Sequence, residues 1–204
     1  MKINAKFITS VVSADKFIHS DKCVIAVAGK SNVGKSSLIN VLANQRKLAR
    51  TSVTPGRTRL INYFDFGEFL LADLPGYGFA KVSKTEKQKW GELMNAFFQK
   101  GQMDHLFILV DIRHDPTQED REMIEYAYHY AIPFSVIATK ADKLGKSKIK
   151  PRAYEIASAL KIGRDDIIPV SSENGYGKDA VLLEIEQAIR VKSGDVDDAS
   201  SVEE

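Results

Sequence analysis

The chain has 204 residues, 44% of them hydrophobic, and a formal net charge of +2, a length that suits one domain with a full core and is marginal for two. Its single cysteine excludes a disulfide framework within the chain and a cysteine-based zinc cluster. No stretch nears the ~18 consecutive apolar residues of a membrane span, and residues 1–20 lack the apolar core of a signal peptide, so a soluble cytoplasmic protein is expected.

Residues 1–22 precede the first strong pattern and are read as an N-terminal extension packing on or preceding the domain. The apolar run CVIAVA, residues 23–28, predicts a strand with Cys23 buried at its start, and a helix begins at 35. Residues 46–59 have no apolar period and contain Pro55-Gly56, so they read as a long loop. Residues 60–66 and 68–72 flank Gly67 as a hairpin. Trp90, Leu93, Met94, Phe97 and Phe98 recur at helical spacing within 85–99, which assigns Trp90 to the core. A strand at 106–110, a helix at 117–130, a strand at 134–138, a helix at 153–160, a short strand at 167–170 and a helix at 178–190 follow. Residues 191–204 set Lys192 against Asp195, Asp197, Asp198, Glu203 and Glu204. This acidic tail is expected to be unstructured, and its net −4 leaves +6 on the rest. The alternation predicts an α/β fold over 23–190, with a mostly parallel six-stranded sheet, one antiparallel strand and helices on both faces. In such sheets ligands sit at the carboxyl ends of the strands, and the motifs below are expected to follow a strand or precede a helix on that side.

GKSNVGKS matches G-x-x-x-x-G-K-[ST] and comprises Gly29, Lys30, Ser31, Asn32, Val33, Gly34, Lys35 and Ser36, with Ser37 next. Glycines let successive backbone N–H groups wrap one anion, and the new helix adds its positive end. Lys35 can reach the terminal phosphates and Ser36 can ligate Mg²⁺. Thr139, Lys140, Ala141 and Asp142 form TKAD, a variant of the N/T-K-x-D motif, directly after a strand. The Asp142 carboxylate can accept from guanine N1–H and N2–H, a donor pair adenine lacks, and the Lys140 stem can lie over the base. Ser171, Ser172 and Glu173 fit a loop whose amides contact guanine O6. Asp73, Leu74, Pro75 and Gly76 follow a strand, where Asp73 can hold Mg²⁺, through water, and the Gly76 amide can meet the terminal phosphate. Between these motifs, Gly56, Arg57, Thr58, Arg59 and Leu60 form a segment able to close over the metal when that phosphate is present; Thr58 is the expected ligand and Thr54 the alternative. These features define a P-loop G domain with Lys35 and Gly76 as catalytic groups, GTP or GDP as ligand and Mg²⁺ as cofactor.

GKSNVGKSS, LARTSVTPGRT, DLPGYGFAKV, DIRH and TKADK stand in this order. Together they resemble the EngB family of bacterial small GTPases, among the translation-factor-related P-loop GTPases. The similarity covers about 18–189 and implies a single G domain with an extended N-terminal segment. It also implies a role in assembly of the large ribosomal subunit and in normal cell division and septation. The acidic tail falls outside the pattern.

Tyr77 stands where other GTPases of this type place a water-orienting glutamine, and a phenol with pKa near 10 is a poor base at neutral pH. Slow intrinsic hydrolysis is therefore expected, completed by a partner or an ion. Asn32 either helps hold K⁺ against the phosphates or caps the loop internally. Arg113 and His114 read as a hydrogen-bonded turn after Asp111, and His19, His105 and His129 lack metal-ligand spacing. Three basic runs follow the nucleotide loops. The first is Arg46, Lys47, Arg50, Arg57 and Arg59; the second is the lysines of 81–89; the third is Lys143, Lys146, Lys148, Lys150 and Arg152. Clustered at one end they suggest docking of ribosomal RNA by shape. The expected partners are a guanine nucleotide and the large ribosomal subunit, with no membrane and a monomeric chain. The rival reading is a guanine-nucleotide-dependent binding module acting on division proteins without turnover.

Overall fold

The computed structural model describes residues 4–49, 60–78, 84–100 and 103–195, with only the backbone of 84–87. Strand β1 (Lys6–Val11) leads through a 3₁₀ turn at Ala14–Lys16 to β2 (Cys23–Gly29) and helix α1 (Lys35–Leu42). Then come β3 (Ile61–Asp65), β4 (Phe69–Asp73), α2 (Lys84–Gln99), β5 (His105–Asp111), α3 (Gln118–His129), β6 (Phe134–Thr139), α4 (Lys146–Leu160), β7 (Ile167–Pro169) and α5 (Lys178–Ser193). The strands form one sheet in the order β1-β3-β4-β2-β5-β6-β7. Only β3 runs against the others, pairing antiparallel with both β1 and β4.

All seven residues of β2 are buried because the strand sits mid-sheet with helices on both faces. Its side chains alternate between two cores, as the pleat requires. Val24, Ala26 and Ala28 join the residues of α2, α3 and α4, and Cys23, Ile25 and Val27 join those of α1 and α5. Burial pushes the Cys23 thiol up to about 12, which leaves it an inert core group.

The alternation is as expected, with one strand more than the six predicted. KFITSV of β1 lies on the sheet edge with most of its residues exposed, so it carries no strong apolar run to read. Phe7 is held edge-to-face on Phe64. Helix α4 starts seven residues before the predicted 153 and carries Pro151 inside it. The ring removes one backbone donor in the second turn without ending the helix, so the basic run at 146–152 lies on a helix rather than a loop. Helix α5 likewise continues past 190 to Ser193 and closes on Gly194 in the left-handed conformation; beyond Asp195 the acidic tail lies outside the described residues. Among the described residues, no helix is long and apolar enough to cross a membrane.

Candidate nucleotide site

The sheet order brings the carboxyl ends of β2, β4, β5, β6 and β7 side by side. Because Asn62 pairs with Asp73, antiparallel β3 begins at this same end. Leu60 therefore enters here, whereas Gly56, Arg57, Thr58, Arg59 and the alternative Thr54 lie outside the described residues.

The loop after β2 is built for close approach. A β-carbon on Gly29 would stand 2.9 Å from Val33 Cγ1 and 3.0 Å from the Leu109 carbonyl oxygen, so only glycine fits. Gly34 adopts φ +119° as the residue preceding α1, which places Lys35, Ser36 and Ser37 in the first helical turn, where backbone N–H groups lack intrahelical partners. The Lys35 ammonium lies 3.5 Å from the Gly29 carbonyl oxygen. Burial pushes its pKa down against the pull of Asp73. The Asp73 carboxyl is buried and pushed up by the same loss of solvent, opposed by Lys35 and by a long contact to Asn62. Asp73 Oδ1 is buried with no hydrogen-bond partner among the described residues, which is costly unless a ligand supplies one. Such an orphan acceptor beside a lysine and the Ser36 turn fits a hydrated divalent cation. Leu74 and Tyr77 continue alongside β2: Leu74 N–H donates to Val27 and Ser31 N–H to Tyr77. Gly76 is thereby brought against the phosphate loop.

The loop after β6 is tied to this one directly. The Thr139 hydroxyl lies 2.7 Å from the Val33 carbonyl. Lys140, at φ +62°, donates through Nζ to the Asn32 carbonyl and to Asp111 Oδ2, both at 2.9 Å. Ala141 N–H donates to the Val170 carbonyl, joining this loop to the one after β7. Asp142 pairs with Lys143 at 2.9 Å and accepts from the Ser171 hydroxyl at 2.7 Å, and these two contacts hold its carboxyl below the ordinary range. Ser171 Oγ also accepts from Glu173 N–H, which shapes the turn carrying Ser172 and Glu173.

Arg113 and His114 form the turn expected of them, with both backbone N–H groups donating to Asp111. What sequence reasoning missed is that Asp111 also pins Lys140. Burial alone would raise the Asp111 carboxyl, but hydrogen bonds from Arg113 and Lys140 outweigh it and hold it far below the carboxylate range. Tyr77 turns away from the site, its hydroxyl donating to Asp120 Oδ1 at 2.8 Å. Thr117-x-x-Asp120 has the capping-box spacing, the one signal that could have flagged Asp120. Trp90 packs on the core as expected and also donates to the Pro75 carbonyl. Lys146, Lys148 and Lys150 are exposed, whereas Arg152 is engaged by Asp115, Glu155 and the Ile112 carbonyl.

A phosphate-type loop at the middle strand of this sheet, bonded to a TKAD loop two strands away, defines a P-loop GTPase fold. The family model described as a 50S ribosome-binding GTPase matches residues 24–140. The chain belongs to the EngB family of GTP-binding proteins. It is 42% identical to the "Probable GTP-binding protein EngB" of Desulfosudis oleivorans, over 88% of this chain and 92% of that one. It is 41% identical to that of Bacillus mycoides, over 95% and 100%. Among solved structures, a probable GTP-binding protein engB superposes with TM-score 0.67 at 21% identity, covering 83% of this chain and 99% of that one. Era in complex with MgGDPNP and nucleotides 1506–1542 of 16S ribosomal RNA superposes with TM-score 0.64 at 23% identity, covering 84% and 58%; at these identities the likeness speaks for the fold.

Proposed function

We propose that this protein binds Mg·GTP at the carboxyl end of its sheet, hydrolyses it slowly, and works as a switch in assembly of the large ribosomal subunit, on which normal division and septation depend. The observation that carries the nucleotide reading is the pair of hydrogen bonds from Thr139 and Lys140 to the Val33 and Asn32 carbonyls. They tie the candidate phosphate and base loops to each other, which supports the reading that one nucleotide spans both.

In this reading the backbone from Lys30 to Ser36 and the Lys35 ammonium hold the phosphates, and Asp142 selects guanine. Ser171, Ser172 and Glu173 border the base. Ser36, Asp73 and, from the residues before β3 that lie outside the described ones, Thr58 hold Mg²⁺. That ion supplies positive charge to the terminal phosphates. The orphan Asp73 oxygen supports Asp73 as a member of that set. Rate enhancement then comes from positioning and electrostatics, with Lys35 and the Gly76 amide facing the transferred group. The exposed lysines of α4 support an RNA-facing role for this end of the molecule, as does the description of the matched family model.

Single-turnover hydrolysis of GTP, with ATP as competitor, with and without purified large subunits, in KCl and in NaCl, tests the reading. Expected are GTP selectivity, a basal rate on the order of 10⁻⁴ s⁻¹ and acceleration by subunits. Equal rates in the two salts remove the K⁺ role of Asn32. One observation favours the rival binding module without turnover: Tyr77 points into Asp120, away from where a water-orienting side chain would stand. A rate moved by neither subunits nor KCl selects that rival.

A further inference from the structure

Gly76 has no side chain of its own to fix it, so its place depends on its neighbours. Pro75 is held from α2: its carbonyl accepts from Trp90 Nε1 at 3.2 Å. Tyr77 is held twice. Its backbone pairs with the phosphate loop, taking Ser31 N–H at 3.0 Å and giving its own N–H to the Gly29 carbonyl at 3.4 Å. Its side chain is buried, lies edge-on to Trp90 with ring centroids 6.5 Å apart, and donates its hydroxyl to Asp120 Oδ1 at 2.8 Å. Burial and the nearby carboxylate push the phenol well above its ordinary value, so it remains a donor. Asp120 is itself immobilised, because its other oxygen accepts from Thr117 N–H at 2.8 Å and from the Thr117 hydroxyl at 2.9 Å. Swinging Asp120 away would uncap α3.

With both neighbours clamped, Gly76 is pressed on the site. A β-carbon placed there would lie 3.2 Å from the Lys35 ammonium and 3.3 Å from Ser31 N and Cα. A phenylalanine would pack in the same pocket as Tyr77. The hydroxyl ties this segment to the start of α3, and α3 is capped by Thr117 without it. The bond therefore does something other than cap the helix: it ties the residue after Gly76 to α3.

We propose that Tyr77 and Asp120 are a positioning pair that holds Gly76 ready for the third phosphate, so that their hydrogen bond sets the preference for GTP over GDP. This rests on the reading of the site as a GTP site. GDP ends before the group the Gly76 amide would meet, so GDP binding is indifferent to the pair.

The test is the ratio of affinities for a non-hydrolysable GTP analogue and for GDP, measured by calorimetry on the full chain. Tyr77→Phe and Asp120→Ala each lower the ratio roughly tenfold, as removal of one charged-acceptor hydrogen bond allows. The double variant goes no lower than either single. Asp120→Asn has one acceptor oxygen for the two places Asp120 fills, the Tyr77 hydroxyl and the Thr117 N–H, so it lowers the ratio too, by no more than Asp120→Ala. Thr117→Ala removes the cap hydroxyl but leaves the Thr117 N–H on Asp120, so it lowers the unfolding midpoint and lowers the ratio less than either variant of the pair. Trp90, the chain's one tryptophan, gives an independent readout: its emission differs between the two nucleotide states in the wild type, and the difference collapses in Tyr77→Phe. The proposal is overturned if the ratio and the Trp90 response survive Tyr77→Phe, if Thr117→Ala lowers the ratio as much, or if GDP binding falls in step with the analogue. Wild-type protein that binds neither nucleotide overturns both this pair and the functional reading beneath it.

Discussion

Asp142, half-buried, and His105, buried, each have a charge state set by what touches them. Lys143 and Ser171 keep the Asp142 carboxylate charged and both its oxygens oriented. Asp142→Asn replaces one acceptor by a donor. GTP affinity should fall by about 10² to 10⁴, because a site built around a hydrogen bond is left mispaired, while xanthosine triphosphate, which offers an oxygen where guanine offers N2–H, should bind the variant better. Competition binding with the two nucleotides checks this, and unchanged guanine preference would remove Asp142 from the base site. His105 is buried in β5, 3.1 Å from Ser135 Oγ, and Ser135 in turn donates to Glu184. Burial pushes the imidazole down to about 4, below its unfolded value near 6.5. The unfolded chain therefore binds the extra proton first. The stabilisation is complete above about pH 6.5 and lost as pH falls toward about 4, at most about 3 kcal/mol. Denaturant unfolding of wild type and His105→Gln between these values should show a pH slope that the variant lacks.

At the scale of elements, β1 shows how an edge strand contributes without a strong signal. It pairs along β3 from Lys6 opposite Asp65 to Val11 opposite Ile61, and Ala5, just before it, and Val11, at its end, are buried in opposite cores. Gln45 donates to the Ala5 carbonyl at 2.6 Å, fastening the strand's start to the segment after α1. Deleting residues 1–12 should cost about 2–4 kcal/mol, mostly the burial of Val11 and the cover over β3; equilibrium unfolding in urea measures it, and an unchanged midpoint would make β1 ornamental to the fold. Of the strands read from the sequence, β2, β4, β5 and β6 are buried on both faces, where a run of apolar residues is unavoidable; β3 and β7 were legible too, one as an arm of the Gly67 hairpin and the other as a short apolar run. The N-terminal half of α4 was illegible because KSKIKP presents mostly lysines and a proline, and only Ile149 of that stretch is buried.

Over the whole molecule, the chain's mild excess of positive charge is spread by the fold rather than by composition. Lys146, Lys148 and Lys150 remain exposed on α4, at the side of the sheet where the base loop ends. Arg152 is consumed by Asp115 and Glu155. Reversing the three lysines to glutamate should weaken association with large subunits by tenfold or more at physiological salt. It should also flatten the salt dependence, since every phosphate no longer neutralised by a lysine takes about 0.7–0.9 off the logarithmic slope. Sedimentation with purified subunits across a salt series reads both. A slope identical to wild type would place the RNA-binding surface elsewhere.

The local order of residues was sufficient for the strand–helix alternation, the phosphate loop and the TKAD loop, because each is a short-range matter of apolar period, glycine freedom and side-chain chemistry within a few positions. The hydrogen-bonded turn after Asp111 and the burial of Cys23 were readable for the same reason. What only the tertiary structure decided was which of these pieces touch: Asp111 on Lys140, Thr139 on Val33, Tyr77 on Asp120, and an unsatisfied Asp73 oxygen beside Lys35. The three hydrogen bonds among them join residues 29 to 106 positions apart, and their partners are set by sheet order and burial, which no local pattern encodes.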